Sequence, residues 1–204
     1  DQRLDRTLEE LMRRDAAAHT STVSGLIRKP HMCSGCPHSV SLKKPKGAKA
    51  FLGIGCHYMA GWMDEDRSAV FVTPMGVEGS AALSHLLYSS SHHVFQNLGD
   101  GTAFHSGSLA IRELVAAIEE LVPDKGITYK IYYDSTIAMT GGQKPQGGVT
   151  VERLTWQLHA EGVAQIVIVA EDAVKYRHAD LAPGVRVYPR DQLLAVEEDL
   201  QKVS

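Results

Sequence analysis

Residues 94–107 read VFQNLGDGTAFHSG, and how they are read decides the fold. An apolar run over 94–98 stops at Gly99-Asp100-Gly101-Thr102, and a helical pattern follows over 106–122. Asp-Gly taken alone marks a tight turn. Here the turn ends a strand and opens a helix, and that placement gives it a second meaning. Flanking glycines let the backbone approach a ligand closely, and free amides at a helix start favour an anion. An acidic side chain at that point makes chemical sense when a hard cation stands between it and a phosphate. The next apolar run, 127–133, ends at Asp134, followed by Ser135 and Thr136. Asp100 and Asp134 at adjacent strand ends would supply the one or two carboxylates that Mg²⁺ takes beside phosphate oxygens and water.

Working outward, further apolar runs lie at 50–54, 69–73, 165–170 and 185–188, and helical patterns at 151–161 and 190–202. Runs that are apolar throughout suit strands buried on both faces of a parallel sheet. The pattern predicts an α/β fold with a doubly wound, mostly parallel sheet and helices on both faces. Residues 4–18 read as a charged helix with Leu4, Leu8, Leu11 and Met12 on one stripe, and 20–48 as a Gly-, Pro-, Ser- and Lys-rich loop. In such sheets ligands bind beyond the carboxyl ends of the strands. Four successive ends carry site chemistry: GCHYM, PMGVEGS, GDGTAFHSG and DSTIAMTGGQ.

Composition narrows the partners. A net charge of −3 over 204 residues gives no electrostatic reason to expect nucleic acid or an anionic membrane. No apolar run approaches the ~20 residues needed to span a bilayer, and the start, DQRLDRTLEELMRRD, is charged rather than signal-like. The expectation is a cytoplasmic protein with reduced thiols. A chain that begins without Met is also expected to be part of a longer one.

The 3 cysteines lie in MCSGCPH, with Cys33 and Cys36, and in GIGCHYM, with Cys56. An odd count argues against a closed disulfide framework. Thiolates at C-x-x-C with a third Cys and His38 or His57 nearby suit tetrahedral zinc. A thioredoxin-like redox pair stands second, because the motif sits in a loop rather than opening a helix after a strand. Unliganded thiols remain open, and c-type haem is excluded because Pro37 follows Cys36 where C-x-x-C-H needs His.

Taken together, CSGCPH, GIGCHYMAGWMD, MGVEGS, FQNLGDGTAFHSG, ITYKIYY and AMTGGQ resemble the thiamine-diphosphate domain of the 2-oxoacid:ferredoxin oxidoreductases, specifically the indolepyruvate type. The likeness runs from about Arg28 to the C-terminus, which divides the chain into an extension or linker, 1–27, and a thiamine-diphosphate-binding domain, 28–204. It implies that Asp100 and Asp134 are side-chain ligands of Mg²⁺ and that Thr136 offers its carbonyl. Gly99, Gly101, Thr102, Met139 and Thr140 would hold the cofactor. Gly55, Cys56, His57, Gly76, Glu78 and Gly79 would line its thiazolium end, with His57 and His105 as candidates for proton transfer or substrate contact. Asp134 stands where the family usually has Asn, and the segment from Asp100 to Asp134 is longer than usual.

The resemblance re-ranks the cysteine readings. Cys33, Cys36 and Cys56 would bind a 4Fe–4S cluster, whose fourth thiolate is expected beyond Ser204. It further implies an oligomer with a pyrimidine-binding domain that supplies an activating Glu. Ferredoxin would be the electron acceptor, and coenzyme A and a 2-oxoacid the substrates. Two other readings stay open: a non-oxidative thiamine-dependent decarboxylase subunit, and a zinc-bound α/β scaffold without catalysis.

Smaller features take simpler readings. Gly53-Ile54-Gly55 begins a dinucleotide fingerprint that fails at Tyr58. The glycine-rich stretch 141–148 is a connector or a lid. His92-His93 reads as a solvated turn, and Trp62 and Met63 as core.

Overall fold

The structure is a computed structural model that describes residues 30–202. The expected helix over 4–18, and the extension over 1–27, lie outside the described residues. Among the described residues there are six parallel strands: β1 (Ala50–Leu52), β2 (Val70–Val72), β3 (His93–Gly99), β4 (Gly126–Tyr132), β5 (Val167–Ala170) and β6 (Arg186–Pro189). Each falls on one of the predicted runs. Four of them form one sheet in the order β2-β1-β3-β4, all parallel. The other two, expected in the same sheet, form a separate parallel ladder, β5-β6. The helices are α1 (His38–Ser41), α2 (Ser80–Tyr88), α3 (Asp100–Thr102), α4 (Ser108–Leu121), α5 (Val151–Ala160) and α6 (Leu193–Leu200).

The fold is α/β, and its sheet is sandwiched because neighbouring strand residues point to opposite faces. Ala50 and Leu52 of β1 join Phe95 and Tyr132 on one face, with Met32, Leu42, Ala60 and Ala69 packed over them. Phe51, between them in sequence, points the other way and meets Val94 and the α2 residues Ala82 and Leu86. On that side Leu98 also packs with Ala103 and Ile111 of the helical run that follows β3. On the first face Lys130 of β4 reaches Glu197 of α6 across 2.7 Å, with both side chains buried. Burial lowers the Lys130 pKa and lifts that of Glu197 to about 7, so desolvation outweighs their attraction.

The strand order places a topological switch point between β1 and β3. From β1 the chain steps outward to β2, returns to β3 on the other side of β1, and continues to β4. The connections therefore diverge at the carboxyl ends of β1 and β3, the place where ligands bind in open α/β sheets.

Several expectations need correcting. The helix expected from 106 begins at Asp100: α3, one wide π-type turn (Ala103–Gly107) and α4 follow one another. The glycines Gly101 and Gly107 hid this start. The helix expected over 190–202 begins with a 3₁₀ turn (Arg190–Gln192) and is regular only from Leu193. Helix α2 was not foreseen, because its sequence SAALSHLLY puts Ser84 and His85 in mid-helix. The loop 20–48 contains α1 and buries Leu42 and Lys44. β2 is an exposed edge strand rather than a doubly buried one, with Phe71 71% accessible. His93 is not in a turn but opens β3, with its Nε2 2.8 Å from Thr128 Oγ1. Trp62 is exposed, whereas Met63 packs on the core as expected.

Candidate functional site

The end of β3 is built around one carboxylate. Asp100 is buried at the start of α3. Its Oδ1 accepts the Gly101 N–H at 2.7 Å, and its Oδ2 accepts the N–H groups of Asp134 at 3.1 Å and Ser135 at 2.9 Å. Ser135 takes a left-handed conformation, φ 60°, which is uncommon for a residue with a Cβ. That conformation accompanies two successive amides of the β4 exit turned toward Asp100. Asp134 in turn accepts the Thr136 N–H on Oδ1 at 2.9 Å. Burial pushes Asp100 above the usual carboxylate range and the nearby Asp134 adds to this, while the amide hydrogen bonds pull it down.

The loop after β4 closes over this turn. Ile137 and Gln143 pair as an antiparallel bridge, and Thr140 and Gln143 exchange hydrogen bonds through side chain and carbonyl. Gly101 lies against Ile137, where a Cβ would stand 3.4 Å from its side chain. GDG thus meets Ile137, the residue just before AMTGGQ, at the strand ends. Met139 and Thr140 are exposed on this loop, and Thr136 is half-buried. Thr102 is buried one turn into the helix. His105 is exposed in the π-type turn, a helical distortion frequent at functional sites.

The end of β1 encloses a histidine. His57 is 4% exposed and stacks on Tyr132, ring centres 5.4 Å apart. Three glycines surround the ring. A Cβ on Gly53 would lie 2.9 Å from Nε2, one on Gly55 2.6 Å from Cε1, and one on Gly99 3.5 Å from Cε1. The G-x-G that fails as a dinucleotide fingerprint therefore makes room for His57. Burial lowers the His57 pKa to about 4, so the ring is neutral at ordinary pH. Glu78 is fully buried nearby, with Oε2 accepting the Gly76 N–H at 2.6 Å. Gly76 is itself pressed against Ser106 of the π-type turn. Gly79 serves packing, with its missing Cβ filled by Tyr129 and Leu114.

The cysteines lie on two segments. Cys33 and Cys56 are exposed and Cys36 half-buried, and all are free thiols. Burial raises the Cys56 pKa, and Cys33, Asp134 and Cys36 each push it further, which puts the three sulfurs and Asp134 in one neighbourhood. Arg190 anchors the loop by donating to the Pro37 carbonyl at 3.0 Å and pairing with Glu171. His38 sits edge-on to Tyr132, with Nε2 4.0 Å from Asp134. Burial lowers its pKa, against the pull of Asp134 and Asp100.

The donor sets can be tested against the expected groups. Among the described residues no three His, Cys, Asp or Glu side chains are gathered closely enough to hold a single metal ion. That gives no support to a zinc cage. Mg²⁺ would ask fewer donors of the protein, since it uses one or two carboxylates and takes its remaining oxygens from phosphate and water. Asp100 has three of its roughly four lone-pair positions occupied, which leaves one for a cation. A cubane cluster is likewise held by thiolates that each bind a different iron and so stand farther apart than the ligands of one ion. Among the described residues no helix is long and apolar enough to cross a membrane. No family model matches the chain, and no curated protein or solved structure is significantly similar to it.

Proposed function

We propose that the chain holds the diphosphate end of thiamine diphosphate in a 2-oxoacid oxidoreductase that passes electrons through an iron–sulfur cluster to ferredoxin. The observation that carries this reading is the Asp100 turn. It places a buried carboxylate beside Asp134 at a switch point, in an amide-rich strand end that opens a helix. Asp134 raises the Asp100 pKa through space, and a cation held by both would relieve that repulsion. Asp100, Asp134 and the Thr136 carbonyl would take Mg²⁺, and the Gly99–Thr102 backbone would face the diphosphate. When bound, the thiamine ring supplies carbanion stabilisation, which side chains alone do poorly. The chain's own part is to orient that ring, to keep the neutral His57 and the exposed His105 at its edge, and to hold three thiolates within reach for a cluster.

The activating Glu is assigned to a pyrimidine-binding partner, and the substrates to an aryl 2-oxoacid such as indolepyruvate with coenzyme A. Anaerobic purification of the full-length protein with metal and cofactor analysis tests the reading. Thiamine diphosphate and magnesium in equal amounts, with iron and acid-labile sulfide, are expected. A colourless protein that binds zinc stoichiometrically and no thiamine diphosphate would contradict it.

A further inference from the structure

The β2 edge of the main sheet carries an apolar surface that the proposed site does not use. Along residues 70–77 five large hydrophobic side chains face outward: Phe71 is 71% accessible, and Val70, Val72, Met75 and Val77 lie between 44% and 55%. Phe71 stacks on the buried Phe51, ring centres 6.3 Å apart, and Phe51 meets the His85 ring of α2 at 5.6 Å. One turn beyond His85 stands Tyr88, 90% accessible. The strip is also uncharged at its surface. Across residues 69–91 the one Asp, Glu, Lys or Arg is Glu78, which is fully buried. Single exposed hydrophobics need no explanation, but a contiguous patch marks an interaction site.

We propose that a second copy of this chain docks on the β2 edge, in a two-fold contact that packs β2 and the segment after it against their counterparts. Two observations name the occupant. The first is charge. A two-fold contact sets one patch against itself, so any net charge on it meets its own sign. A patch without surface charge escapes that repulsion, and depletion of charge marks the core of homodimer interfaces. A charged partner would find nothing here to pair with. The second is area. The six side chains expose roughly 650 Å² on each copy, close to the ~800 Å² per partner of a standard stable interface. The backbone decides the kind of contact. Phe51 pairs with Val70 and Leu52 with Val72, so Phe71 is the extra residue of a bulge, at a φ of 48° that is strained for a bulky side chain. A short, bulged edge is a poor template for adding another strand. The contact is therefore side chain against side chain, with Phe71 and Tyr88 as its aromatic anchors. None of this rests on the proposed cofactor chemistry.

Sedimentation equilibrium of the 204-residue chain, with no ligand added, tests the proposal. A reversible dimer is expected. Phe71→Asn, whose short polar side chain tolerates a positive φ, should weaken it about tenfold or more while circular dichroism shows the chain still folded. Adding Met75→Glu, which sets like charges across the two-fold axis, should leave a monomer. Val174→Glu, at a residue 63% accessible in the segment after β5, should leave the dimer unchanged. A monomer at every concentration up to ~100 μM, above the micromolar limit of interfaces of this size, would overturn the proposal and assign the edge to a different partner. So would a dimer that Phe71→Asn and Met75→Glu together leave intact. The unsubstituted chain decides the first point even where a variant does not fold.

Discussion

The carboxylate end and the thiol end of the candidate site are built by different means. At the carboxylate end the sheet itself does the positioning: Asp100 closes β3, Asp134 follows β4, and backbone amides lock the two together. At the thiol end Cys33 and Cys36 ride on a loop joined by one short turn, Cys36 N–H to the Cys33 carbonyl at 3.0 Å, and held from outside by Arg190. The first end is organised before any ligand arrives. The second leaves Cys33 and Cys56 exposed and Cys36 half-buried, and on the proposed reading would be completed by what they bind. Pre-organisation of this kind lowers the ordering cost on binding.

The comparison can be broken most sharply at Asp100. Asp100→Ala should weaken Mg²⁺-dependent thiamine diphosphate binding about 100-fold, the loss of charge-assisted contacts worth ~3 kcal/mol. Titration calorimetry measures it, and a change under threefold would mean that the turn does not hold the cofactor. Cys56→Ser should abolish iron incorporation on anaerobic reconstitution while diphosphate affinity stays within about threefold, since sulfur and oxygen donors serve different groups. Parallel loss of both would show that the two ends are one unit.

Two smaller effects sharpen it further. Asp134→Asn should retain or tighten cofactor binding, because it removes a negative charge beside an anionic diphosphate and keeps the Oδ1 acceptor for Thr136. Complete loss in the same titration would refute that. The pH dependence of stability should report the buried histidines. Burial holds His57 and His93 near 4 against an ordinary 6.5. Between those values the two histidines bind more protons in the unfolded chain and push stability up with pH, while Glu197, lifted to about 7 from an ordinary 4.5, pushes it down from about 4.5 to 7. His93→Gln should flatten the slope by up to one proton in urea melts at each pH; an unchanged slope would mean that His93 titrates normally.

Much of this was legible in the sequence, and the failures have physical causes. The strands are readable because apolar residues cluster in them, Val94, Phe95 and Leu98 around Gln96 and Asn97, and Val167, Ile168 and Val169 in an unbroken run. Asp100 and Asp134 are readable because strand ends concentrate polar chemistry. The exposure of β2 is not, since an edge strand and a central one can share a composition, and only the strand order tells them apart. The burial of His57 is equally hidden. It depends on Gly53 and Gly55 after β1, with Gly99 at the end of β3 lying against the same ring, and nothing in GIGCHY shows that Gly99 takes part. Glu78 is expected at the thiazolium end from the resemblance alone, and nothing in MGVEGS shows that it is fully buried.

The most direct test of the account is the Mg²⁺ dependence of thiamine diphosphate binding, measured by titration calorimetry on the protein with the proposed pyrimidine-binding partner present. The account predicts tight binding with Mg²⁺ that is lost on chelation and weakened about 100-fold by Asp100→Ala. Binding of equal strength with and without Mg²⁺, or no binding in the intact assembly, would contradict it.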